Sequence, residues 1–152
     1  MAKMAEHLGV VAQRPDQETG VGPDVVWGLG GLQFWVIELK TGAAGDGISK
    51  ADAGQLSQAM DWFAWQYDRT CAGTPVMVHP SSRLMAEATA REGMVVVDAG
   101  MLEALRRAFS AYATGLSTVN WSRAEEVNML LIGHRLTVLD LPRFTRAARP
   151  GR

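Results

Sequence analysis

Apolar positions change period several times along the chain, and each change marks an element. LQFWVIELK (32–40) is an almost continuous apolar run closed by two charges. Its length and its aromatic and β-branched content predict a strand, and PDVVW (23–27) predicts a shorter one before it. The tight GLGG connection (28–31) joins them as a β-hairpin. TGAAGDG (41–47) is a flexible Gly-rich loop, after which Ser49 opens a helix with Asp52 at the spacing of a capping box. Leu56, Met60, Phe63 and Tyr67 recur at helical spacing and predict its core face. CAGTP breaks that helix, and VMVH (76–79) is a buried-type strand. A helix over 81–93 stopped by Gly93, a strand over 94–98 and an amphipathic helix over 101–115 follow. A further helix over 122–134 starts with a second capping box, Ser122 with Glu125. A short helix over 3–9 and a turn-rich stretch over 14–23 precede the hairpin, and the tail after His134 has room for one strand or short helix.

This alternation predicts an α/β fold, a central mixed β-sheet flanked by helices, with a C-terminal helical extension. The chain has 152 residues, 47% of them hydrophobic, which suits one domain with a real core. The division expected within it is a core over 1–115 and a helical extension or docking segment over 116–152.

Composition narrows the function classes. A net charge of −1 argues against a basic nucleic-acid coat but leaves room for a locally positive cleft. Arginines gather late, from Arg106 and Arg107 to Arg149 and Arg152, as a solvated tail or a grip on a nucleic-acid backbone. Cys71 is the single cysteine, so no internal disulfide or zinc cluster is expected, and a reducing, cytoplasmic setting fits. No run approaches the roughly 18 apolar residues of a membrane span. MAKMAEHLGVV is a poor signal peptide.

Two chemistries could use a strand, a Gly-rich loop and a helix. Gly42 and Gly47 have the spacing of a Walker A loop, but Ile48 stands where the phosphate-binding lysine belongs and Lys50 comes two positions late. The loop therefore reads as a connector. The charges inside the strand are the stronger lead. Glu38 and Lys40 share one face with Phe34 and Val36, while Trp35, Ile37 and Leu39 face the other way. Charges at the end of such a strand are costly to bury and are better explained as lining a cleft. The hairpin brings Asp24 beside Glu38, and two converging carboxylates need a cation or a proton between them. A hard divalent ion takes such oxygen ligands. It would activate a water and hold a scissile phosphate, with Lys40 steadying the charge.

GPD (22–24) followed by ELK (38–40) resembles the PD-(D/E)xK signature of the restriction-endonuclease-like nuclease superfamily. The similarity continues through ISKADAGQLSQAMDWF (48–63), which looks like the helix after the core strand, and covers about residues 1–98. It implies a restriction-endonuclease-like core that hydrolyses DNA phosphodiester bonds with Mg²⁺, for which Mn²⁺ would substitute. By the same resemblance Asp24, Glu38 and the backbone carbonyl of Leu39 would hold the metal, Lys40 would be the catalytic lysine and Gln55 a supporting residue. Glu6 matches the acidic slot on a first helix, with Glu18 a poorer alternative. Such nucleases are often fused to or partnered with helicases, and a homo-oligomer would let one molecule cut each strand. The alternative is the same fold with weak or no chemistry, docking DNA or a partner protein.

Plainer readings exist for each residue. Asp24 suits a Pro-Asp turn, Glu38 and Lys40 an exposed edge strand, and Gln55 a solvated helix face. His79, before Pro80, is a structural or surface histidine or a substrate contact. Trp62, Phe63 and Trp65 are packing residues or, less simply, stacking platforms.

Overall fold

The computed structural model describes residues 1–40, 42 and 47–151. Most of the Gly-rich loop (41 and 43–46) and Arg152 lie outside the described residues. The chain forms an α/β structure around one six-stranded sheet whose spatial order follows the sequence. Its strands are β1 (Val11–Gln13), β2 (Val25–Gly30), β3 (Gln33–Leu39), β4 (Ala72–Val78), β5 (Val95–Val97) and β6 (Arg146–Ala147). The first three are antiparallel neighbours, β3, β4 and β5 run parallel, and β6 returns antiparallel to β5. The sheet is therefore mixed.

Alternation along the central strands separates two apolar layers. Trp35 and Ile37 of β3 and Val76 and Val78 of β4 join Trp27, Leu105, Tyr112, Leu141 and Phe144 on one face. Helices α1 (Ala2–His7), α4 (Ala99–Leu116) and α5 (Ala124–Gly133) cover that side. Trp27 and Trp35, cross-strand partners, stack with centroids 5.8 Å apart. The opposite face carries Val36 and Met77 and is covered by α3 (Lys50–Gln66) through Ala53, Leu56, Ala59 and Phe63. Helix α3 starts with the expected capping box: Ser49 Oγ accepts from the Asp52 N–H at 3.1 Å, and the Ser49 N–H donates to Asp52 Oδ2 at 3.1 Å.

Several elements depart from expectation. Residues 81–93 are not helical. Their backbone is committed to bridges: Ile48 N–H donates to Arg83 O at 2.7 Å, Leu84 N–H to Arg149 O at 2.8 Å, and Met85 N–H to Ile48 O at 2.9 Å. Leu84 is thereby buried beneath α3, a tertiary arrangement that overrides local helix propensity. The turn-rich stretch contains a short helix, α2 (Pro15–Thr19), with Pro15 at its first position and Gly20 ending it in the left-handed region, φ 76°. Strand β1 is an unanticipated edge strand. CAGTP does not end at a break but supplies the first half of β4; β5 pairs only with Val76–Val78, so Pro75 is tolerated in a half-paired stretch. Helix α5 starts after Arg123, without a side-chain cap, and Glu126 rather than Glu125 reaches back, to the Asn120 N–H at 2.8 Å.

The segment after residue 115 completes α4 and adds α5, a 3₁₀ turn (Leu141–Phe144) and the edge strand β6, and it sends Leu136, Leu141 and Phe144 into the core. No helix among the described residues is long and apolar enough to cross a membrane.

Candidate functional site

The face of β3 that carries Val36 toward α3 carries Glu38 next, at the carboxyl end of the strand, with Lys40 just beyond it. Val25 pairs with Ile37, so Asp24, one residue earlier, stands opposite Glu38. Asp24 is fixed by its own neighbour's backbone: its Oδ2 accepts the Leu39 N–H at 2.7 Å. Lys40 Nζ lies 3.8 Å from Glu38 Oε2, a long ion pair.

Glu38 is only 7% exposed. Burial, then the Asp24 charge and a hydrogen bond with Asp24, push its carboxyl up to about 7, against the opposing pull of the Lys40 ammonium. The negative field of Asp16 adds in the same direction. The two facing carboxylates thus hold a proton near neutrality where an ordinary glutamate would have lost it.

A cleft of about 530 Å³ opens above this pair. Asp24, Glu38 and Lys40 form its floor, Gln55, Gln58 and Trp62 of α3 one wall, and Asp16 with the 20–22 turn the other. All four residues expected as catalytic therefore line one cavity, and Leu39 lies between two of them. Its N–H is spent on Asp24. Glu6 is not in the cleft: α1 packs through Ala5 against the opposite face of the sheet. Glu18 accepts the Arg14 N–H at 3.2 Å and does not line the cavity either. Asp16, on α2, is the acidic residue that does. His79 is buried at 2% exposure, its Nδ1 within 3.0 Å of the Ser81 backbone, and it stands outside the cleft.

Two polar lining residues, Asp16 and Gln58, had no part in the expected site. Asp16 was hidden in a stretch read as turns, although a proline followed by acidic residues is a helix-start signal. Gln58 follows Gln55 by three residues and so shares its face. Trp62, expected as a packing residue or a stacking platform, lines the cleft and also packs, its ring lying against Gly22.

The donor chemistry suits a hard divalent ion. Two carboxylates face each other, and both open onto a polar cleft. Among the described residues no group of three or more His, Cys, Asp or Glu side chains is arranged to hold a metal. No protein-family model matches the chain, and no curated protein or solved structure gives a match.

Proposed function

We propose that the chain is a metal-dependent nuclease domain with a restriction-endonuclease-like core, hydrolysing DNA phosphodiester bonds. The observation that carries this reading is the meeting of Asp24, Glu38 and Lys40 at the floor of one cleft. Asp24, Glu38 and the Leu39 carbonyl would hold Mg²⁺, or Mn²⁺ in its place. Bound there, the ion would supply a more acidic water and charge stabilisation for a phosphate.

The chain's own groups have distinct tasks. The Leu39 N–H locks the Asp24 carboxylate in one orientation. Glu38 must release its proton before it can ligate, so its raised pKa gates metal loading. Lys40 brings a cation to within 3.8 Å of Glu38, where it can meet a non-bridging phosphate oxygen. Gln55 offers a neutral donor and acceptor from the α3 wall. A reducing cytoplasm suits the free Cys71 thiol.

The test is cleavage of supercoiled plasmid and of a single-stranded oligonucleotide in Mg²⁺, Mn²⁺ or EDTA, beside Lys40→Ala. Metal-dependent cutting that Lys40→Ala abolishes supports the proposal. Folded wild-type protein that binds Mn²⁺ and cuts neither substrate would leave a nuclease-fold module that docks DNA or a partner such as a helicase.

A further inference from the structure

Helix α3 does more than wall the cleft. Gln55, Gln58, Trp62 and Trp65 fall within about 80° of one another around a helix of 3.6 residues per turn, and they span roughly 15 Å along its axis. The first three line the cavity. Trp65 continues the stripe outward and is 82% exposed. An indole left so open, in line with a polar cleft, is a face awaiting a flat apolar partner. Asp61, at the margin of the stripe, is neutralised by Arg91 at 2.7 Å.

The side chains of the stripe select the partner. Among the described lining residues Lys40 is the cation, beside three carboxylates, so the stripe offers stacking and amides rather than charge. The bases of a duplex are stacked and paired within it and present no free face to an indole. A single strand presents unstacked bases, which stack on indole whatever their sequence, and side-chain amides meet exposed base edges. Resting on the nuclease reading of the cleft, we infer that the Gln55–Trp65 stripe of α3 is the track for single-stranded DNA, with Trp65 stacking a base outside the cleft.

The experiment measures binding of a fluorescein-labelled thymidine oligonucleotide to the full chain with Ca²⁺ in place of Mg²⁺. Wild type is compared with Trp65→Ala and Trp65→Phe, and each with a duplex closed by hairpins at both ends. The expected result is preferential binding of the single strand, weakened roughly tenfold or more in Trp65→Ala and largely kept in Trp65→Phe, which retains a stacking ring. Circular dichroism should be unchanged, because Trp65 packs on little. Absent binding to the single strand, equal affinity in Trp65→Ala, or an equal loss on the closed duplex would each overturn the inference. The nuclease reading fails separately: Trp65-dependent binding with no metal-dependent cutting removes the chemistry and keeps the track, whereas cutting indifferent to Trp65 does the reverse.

Discussion

The Leu39 N–H donates to Asp24 Oδ2 at 2.7 Å, so the carboxylate facing Glu38 is held by the very strand that carries Glu38. An asparagine at position 24 can still accept that hydrogen bond, but it carries no charge. Asp24→Asn should therefore fold, lose cleavage by roughly two orders of magnitude or more, and bring the Glu38 carboxyl down from about 7. Carboxyl-carbon NMR titration reads the last effect. Asp24→Ala should in addition cost about 1 kcal/mol of stability, because the half-buried Leu39 N–H loses its acceptor.

Glu38 also sets a pH dependence of stability. Its carboxyl titrates near 4.5 when unfolded and near 7 when folded. Between those values the folded chain keeps a proton that the unfolded chain has released. Stability contributed by this group is therefore full below about 4.5, falls as pH rises and levels off above about 7. The span is worth about 3 kcal/mol. Urea unfolding in EDTA should show Glu38→Gln gaining on wild type across that window; parallel curves would contradict the assignment.

Metal loading should follow the same proton with the opposite sign. Mn²⁺ affinity measured by calorimetry should rise with pH up to about 7 and then flatten, with proton release on binding. Asp16→Asn should weaken Mn²⁺ roughly tenfold without unfolding the chain, since Asp16 is exposed and acts on the cleft from α2.

Gly22 fixes the cleft wall through its backbone. Its φ is +107°, and a Cβ there would stand 2.8 Å from Trp62 Cε2. Gly22→Ala should cost about 1–3 kcal/mol from strain alone, and more from the clash, with reduced cleavage because Trp62 must move. Gly20→Ala is the control: φ is +76°, but nothing lies within 4 Å of the added Cβ. Thermal melts of the two variants separate backbone strain from the contact.

The hairpin, the capped α3 and the two-faced β3 were legible because each rests on local rules: alternation, a turn, a cap. That was enough to lay the two strands side by side, but the register that sets Asp24 opposite Glu38 depends on details the expected GLGG connection did not contain: β2 runs on to Gly30, the turn is at 31–32, and the pairing shifts between Gly28 and Gly30. What escaped is set by distant partners. Residues 81–93 have helix-forming composition, yet Ile48 and Arg149 take their backbone. Strand β1 exists because β2 offers it an edge. Asp16 belongs to the cleft through a five-residue helix too short to show a period.

The described residues that line the cleft lie between positions 16 and 62, with α3 facing Glu38 across it and Met77 of β4 pairing with Glu38 along the sheet. In the unfolded chain both carboxylates stand in water, each free to ionise. Packing around β3 brings the burial that favours a protonated Glu38. Folding near neutral pH should therefore take up a proton at this pair, and a divalent ion present as the chain folds would compete with that proton for the same two carboxylates.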